Sequence, residues 1–225
     1  MYIGVVGISH KQAPVKTRNA VAFTQSKKIE AMNFLLEGSC VEEVVILSTC
    51  NRSEIYFATN NLSYSMVQVK TFYLNYFGVP QLDSHVFTKS NEEAIQYLLT
   101  VTSGLDSIVL GEDQILGQVK EDHDLARQMG CSKKMLNKIF RDAITFAKKM
   151  KTTYKISENP LSISSVAIKL LEDVCPEFTE AKVLLIGAGT VGMLCLKYLQ
   201  DAGLTRLFMC NRTMCTLEEQ LIESE

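Results

Sequence analysis

Cys50 stands in Ser48-Thr49-Cys50-Asn51-Arg52, between two runs that read as strands. A thiol attacks as the thiolate, and a nearby cation favours that form. Arg52 is close enough in sequence to be that cation. The hydroxyls of Ser48 and Thr49 and the amide of Asn51 could bond an acyl group held on the sulfur. Residue types alone leave a second reading equally open, because a lone cysteine also serves as a small buried hydrophobe. The other six cysteines, at 40, 131, 175, 195, 210 and 215, lack such a polar frame and are read as structural or incidental. There is no CxxC pair, and the three histidines (10, 85 and 123) are scattered, which argues against a disulfide framework and against a zinc cluster. A reducing, cytoplasmic setting fits better.

A second chemical signal is Gly187-Ala188-Gly189-Thr190-Val191-Gly192. It follows the apolar run 182–186, opens a helix predicted to about Leu199, and precedes another apolar run at 206–210. That strand–glycine–helix–strand context is what a dinucleotide site requires. Gly187 would permit the tight turn, Gly189 the approach of the pyrophosphate, and Gly192 close packing of helix on strand. An NAD site usually places an acidic residue after the second strand. Here Asn211-Arg212-Thr213 stands there, and an arginine suits a 2′-phosphate, so the reading is NADPH. A third signal is the basic run Lys133, Lys134, Lys138, Arg141, Lys148, Lys149 and Lys151, against the single acid Asp142. It offers a local surface for nucleic acid phosphates, or simply a solvated face opposite the apolar Leu136, Ile139, Phe140, Ile144 and Phe146.

These residues need a scaffold. The spacing predicts a strand over 2–8, a helix over 24–36 capped by Thr24, strands over 43–48 and 54–59, a helix over 63–77, and a strand over 85–88. The order βαββαβ is the ferredoxin-like pattern. Ser90-Asn-Glu-Glu93 reads as a capping box opening a helix to about Val101. Helices over 113–129 and 133–154 follow, the latter with Ser132 as its cap. Asn159-Pro160 breaks the pattern. A connecting helix over 162–174 carries Ile163, Val166, Ala167, Leu170 and Leu171 on one face, and Pro176 closes it. Thr216-Leu-Glu-Glu219 is a second capping box. The fold class is therefore α/β: a ferredoxin-like catalytic domain with added helices (1–156), a connecting helix (157–175) and a partial Rossmann NADP-binding domain (176–225).

Composition sets outer limits. The chain has 225 residues, 47% hydrophobic and 21% charged, which is ordinary for a soluble protein. A net charge of -2 excludes a globally basic nucleic-acid binder and leaves any basic surface local. No apolar run reaches membrane-spanning length, and the N-terminus has no basic start before its apolar run, so no signal peptide is read there.

Three stretches converge on one family. GISHKQAPV (7–15), STCNRSEIY (48–56) and SGLDSIVLGEDQILGQVK (103–120) resemble glutamyl-tRNA reductase, and GAGTVG with NRT fits its NADPH domain. The resemblance runs from residue 4 to about 216 and implies NADPH-dependent reduction of glutamyl-tRNA(Glu) to glutamate-1-semialdehyde, the first step of five-carbon tetrapyrrole biosynthesis. Cys50 would be the nucleophile, attacking the ester that joins glutamate to the tRNA and leaving a glutamyl thioester. Covalent catalysis of this kind divides one hard step into two easier ones. The resemblance further implies that Thr49, Asn51, Arg52, Ser107, Glu112, Asp113, Gln114 and Gln118 line the substrate pocket. Arg52 would pair with a carboxylate or polarise the ester, and Glu112 would hold the substrate ammonium. Gly187 to Gly192 with Asn211, Arg212 and Thr213 would hold NADPH. A homodimer and transfer of the aldehyde to glutamate-1-semialdehyde aminotransferase are also implied.

Two departures from the family pattern stand out. Tyr97 occupies the position where most members have a histidine near the cysteine. Its reference pKa near 10 makes it a poor proton shuttle at neutral pH. The chain also stops at Glu225, after one βαβ unit, so a C-terminally truncated reductase is expected. The alternative is a non-catalytic fragment that binds tRNA or a partner without a complete NADPH site. A generic dehydrogenase related to shikimate dehydrogenase would share only the glycine motif and leave the Cys50 and SGLDS motifs unexplained.

Overall fold

The structure, a computed structural model, describes residues 1–154, 163–175 and 177–212. It divides into two compact units, Met1–Glu158 and Asn159–Glu225. In the first unit β1 (Tyr2–Ser9) leads through the short helix α1 (Val15–Ala20) into α2 (Gln25–Glu37). Then come β2 (Glu43–Ser48), β3 (Arg52–Thr59), α3 (Leu62–Phe77), β4 (Phe87–Ser90), α4 (Asn91–Thr102), α5 (Gln114–Gln128) and α6 (Lys134–Tyr154). The sheet order is β2-β3-β1-β4 with every neighbouring pair antiparallel, as a ferredoxin-like fold requires.

β2 and β3 are predominantly β-branched, aromatic and aliphatic, and nearly every residue of both is buried. Burial at both parities means that both faces of the sheet are covered. The helices α2 and α3 form one layer, joined by the stack of Phe34 on Phe72 at 5.2 Å. The mutually packed α4, α5 and α6 form the other, with Phe140 edge-on to Tyr56 at 5.5 Å. Gly7 of β1 lies opposite Glu54, and a β-carbon there would sit 2.4 Å from the Ser53 carbonyl oxygen. The β1–β3 contact therefore needs glycine at this position.

Several expectations shift. The strand expected at 85–88 is Phe87–Ser90, because Leu82–His85 winds into a 3-10 turn. β3 begins two residues early, which places Arg52 inside the sheet. α1 lacked a periodic signal in its six residues. The Ser90 capping box is not formed: Ser90 makes no side-chain cap bond, and Asn91 turns left-handed (φ 47°) and accepts from the Ile3 amide. Ser132 does not cap α6; its hydroxyl donates to Asn137. The buried carboxylate of Glu43 does so instead, accepting from the amides of Lys133, Met135 and Leu136 at 2.8–2.9 Å. Phe146, expected in the buried face of α6, is 40% exposed.

In the second unit α7 (Ile163–Val174) precedes β5 (Val183–Ile186), α8 (Thr190–Asp201) and β6 (Leu207–Cys210). β5 and β6 pair in parallel around the α8 crossover, a βαβ unit. α7 buries Ser164 and Ile168, while Val166 and Leu170 of the expected apolar face are exposed. The Asn159-Pro160 break, Pro176 and the 216–219 capping box lie outside the described residues.

Replacing Gly7 by Ala should cost about 1–3 kcal/mol, the usual size of an overpacking strain, read as a lower urea midpoint with an unchanged slope.

Candidate active site

Three loops of the first unit meet at one end of the sheet, joined by hydrogen bonds and ion pairs. The turn between β2 and β3 carries Cys50, which is exposed. Its backbone is held on several sides. The Thr49 amide donates to the Arg52 carbonyl at 2.8 Å, the His10 amide to the Asn51 carbonyl at 2.8 Å, and the Asn51 amide to the Thr49 hydroxyl at 3.2 Å. The Ser48 hydroxyl accepts from the Phe23 amide, so it is engaged with the fold.

Arg52 faces inward and is 1% exposed. Its guanidinium donates to Glu54 at 2.9 Å, to the Tyr97 phenol at 2.9 Å, and to both the carbonyl (2.8 Å) and the carboxylate (3.2 Å) of Asp106. Burial disfavours this charge, but Glu54 and then the remaining neighbours outweigh it, so the guanidinium stays protonated. This differs from the expected pairing with a substrate carboxylate: the carboxylates it meets belong to the chain. Through Asp106, Arg52 ties β3 to the loop between α4 and α5, and Lys11 from the β1–α1 loop pairs with the same Asp106.

That α4–α5 loop and the start of α5 carry the remaining expected pocket residues. Gly104 is left-handed (φ 76°), and its carbonyl accepts from Gly111 at 2.9 Å, closing the loop on itself. Lys151 of α6 is buried and donates to the carbonyls of Gly111 and Glu112 and to the Asp113 carboxylate, all within 2.9 Å. It therefore leaves the basic face, on which Lys133, Lys134, Lys138, Arg141, Lys148 and Lys149 are exposed. Ser107, Glu112 and Gln118 are half-buried, and Asp113 and Gln114 exposed.

Tyr97 donates its phenol proton to Glu54 at 2.6 Å. Burial, and then the Glu54 carboxylate, push that phenol well above its ordinary range. Its proton is therefore held in a hydrogen bond within the fold. His10 is held below its ordinary value, chiefly by burial and against the pull of Asp106, with Arg52, Lys11 and Arg18 adding to the decrease. His123 is stacked on Phe140 and bonded to Asn137, and His85 meets the Gln12 carbonyl.

One residue that sequence reading missed is Arg18 of α1. It is buried and donates to the Cys50 carbonyl at 3.2 Å and to the Ala13 carbonyl at 2.6 Å. No spacing signal marks a lone arginine in so short a helix.

In the second unit Gly187 is left-handed (φ 107°). A β-carbon on Gly192 would lie 2.0 Å from the Gly187 carbonyl, so the helix packs directly on the turn. Around Gly189 there is open space, and it begins α8 with no side-chain cap. Room at an uncapped helix start fits a phosphate. Ala188 is buried, Val191 exposed, Asn211 half-buried and Arg212 exposed at the end of β6. Thr213 lies outside the described residues.

Comparison with known proteins identifies relatives of both units. The family model described as glutamyl-tRNAGlu reductase, N-terminal domain, matches residues 6–154, and that of shikimate / quinate 5-dehydrogenase matches 169–223. A glutamyl-tRNA reductase of Clostridium novyi (strain NT) is 42% identical over 213 residues, covering 95% of this chain and 52% of that protein. One of Alkaliphilus metalliredigens (strain QYMF) is 44% identical over 225 residues, covering 99% and 53%. The solved glutamyl-tRNA reductase from Methanopyrus kandleri superposes with a TM-score of 0.67 at 30% identity, covering 98% of this chain and 52% of that one. The chain spans about half the length of the relatives it matches.

Arg52→Met should lower stability by about 3–5 kcal/mol, because it leaves the buried Glu54 carboxylate with phenol donors but no cation and Asp106 with Lys11 alone, and chemical denaturation reads this directly. The two depressed histidines set a pH trend as well. The unfolded chain takes up protons near pH 6.5 that folded His10 and His123 refuse, so their contribution to stability is lost as pH falls below that value. Replacing both with Gln should flatten the fall in melting temperature between pH 7 and pH 5.

Proposed function

The chain belongs to the glutamyl-tRNA reductase N-terminal family, and from that premise we propose that it carries the acyl-transfer and reduction chemistry of glutamyl-tRNA reductase. The observation that carries the proposal is an exposed thiol on a turn whose backbone is fixed from three sides.

The Cys50 sulfur attacks the ester carbonyl of glutamyl-tRNA(Glu). The bond from that carbonyl to the tRNA 3′ oxygen breaks, the oxygen leaves with the thiol proton as a hydroxyl, and a glutamyl thioester remains on Cys50. NADPH, when bound, supplies the hydride that converts the thioester to glutamate-1-semialdehyde and frees the thiol. A thioester accepts hydride more readily than an oxygen ester, so dividing the reaction makes both halves easier. Gly187 to Gly192 and Asn211 to Thr213 are the residues that would hold NADPH, with the α8 amides at its pyrophosphate and Arg212 at its 2′-phosphate. Thr49, Asn51, Ser107, Glu112, Asp113, Gln114 and Gln118 offer the polar contacts a small zwitterion needs. Arg52 serves by holding the Asp106 loop beside the Cys50 turn. The exposed basic face of α6 suits tRNA phosphates. Use of the aldehyde by glutamate-1-semialdehyde aminotransferase, a homodimeric assembly and a cytoplasmic setting belong to the same reading. No helix among the described residues is long and apolar enough to cross a membrane.

Mixing the protein with glutamyl-tRNA and weighing it intact should reveal a glutamyl adduct on the wild type and none on Cys50→Ser. An adduct on the serine variant would refute the assignment. Adduct formation without aldehyde release on adding NADPH would favour the fragment reading, in which the dinucleotide site is incomplete. Gly192→Ala should weaken NADPH binding at least about tenfold in a fluorescence titration, since its methyl collides with the Gly187 carbonyl that shapes the phosphate turn.

A further inference from the structure

Arg18 sits in no motif singled out by its chemistry, yet it is the side chain that grips the nucleophile's own peptide. It comes from α1, a six-residue helix whose N-cap is Pro14. Its Nε donates to the Cys50 carbonyl at 3.2 Å, and its Nη1 to the Ala13 carbonyl at 2.6 Å. One rigid guanidinium thereby joins the loop entering α1 to the turn bearing the thiol, whose Cys50 is 32 residues from Arg18. A planar fork with fixed donor directions fixes orientation as well as distance, which a flexible ammonium does not.

The surrounding bonds show what that grip decides. The Cys50–Asn51 peptide has its carbonyl on Arg18 and its amide on the Thr49 hydroxyl. The next carbonyl, of Asn51, is held by the His10 amide. With both carbonyls drawn inward, the Cys50 side chain is left on the solvent side, where it is exposed. Of these contacts, only the Arg18 bond grips Cys50 itself from another element of the fold. We propose that Arg18 is a positioning residue for the acyl transfer, fixing the Cys50 peptide so that the sulfur meets the face of the ester carbonyl. This rests on the reading of Cys50 as the acyl acceptor. Arg18 does not touch substrate; it acts through the Cys50 backbone.

The orientation matters because displacement of a reacting atom by about 1 Å costs on the order of 100-fold in rate. Arg18→Met removes both bonds, and Arg18→Lys retains a cation that can reach one carbonyl. Two readouts on the full chain separate positioning from folding. In single-turnover mixing with glutamyl-tRNA, Arg18→Met should form the Cys50 adduct about 10- to 100-fold more slowly. Its tRNA affinity should stay within about twofold, and Arg18→Lys should recover part of the rate. In hydrogen exchange followed by mass spectrometry, peptides spanning residues 49–52 should exchange at least about tenfold faster in Arg18→Met. Peptides from the centres of β2 and β3 should stay protected. If Arg18→Met does not fold, Arg18→Lys carries both readouts. Unchanged adduct formation in a folded variant overturns the proposal, and so does unchanged exchange over 49–52. Absence of adduct from the wild type would instead strike the acyl-acceptor reading, and the exchange arm would then still decide whether Arg18 orders the turn.

Discussion

A guanidinium buried to 1% exposure is the constraint around which the first unit is arranged. Arg52 cannot be solvated, so the chain must supply acceptors, and it supplies Glu54, Tyr97 and both oxygens of Asp106 that face it. Each comes from a different place: the same strand, helix α4, and the loop that follows α4. Satisfying one charge therefore fixes three elements at once. A buried pair of this kind adds little net stability compared with apolar packing, but removing either partner leaves an uncompensated charge. The arrangement is specific for that reason, and the Cys50 turn two residues away inherits its position from it.

Tyr97 shows how the same network constrains chemistry. A phenol that donates to one carboxylate oxygen and accepts from a guanidinium is held as the neutral acid across the ordinary pH range. It completes the bonding of Glu54, whose other oxygen accepts from Tyr56. In this position a histidine could exchange protons near neutrality, whereas this tyrosine is bonded to both Arg52 and Glu54.

Much of the frame was readable from local pattern. β2 falls at 43–48 as predicted, because a run of apolar β-branched residues between turns admits little else. Thr24 caps α2, accepting from Lys27, and Gly78 ends α3 in the left-handed conformation. The legible part of the candidate site was the turn that carries Cys50 and the glycine motif between β5 and α8. What stayed hidden is long-range. Glu43 caps a helix 90 residues away, Lys151 holds carbonyls about 40 residues away, and Arg18 reaches Cys50 across 32. A sequence displays periodicity and local caps but not which buried charge will meet which backbone. Arg52 illustrates the difference: beside a cysteine it reads as an activating cation, and only the early start of β3 turns it into the core.

In the proposed acyl transfer, residues around Cys50 act by position and Tyr97 contributes no proton to the reaction. The most direct measurement is the pH profile, from pH 6 to pH 9, of single-turnover Cys50 adduct formation in the wild type and in Tyr97→Phe. A uniformly lower rate in the variant with the same profile is the predicted result. Loss or displacement of an ionisation from the profile would show that Tyr97 moves a proton, and would contradict the account.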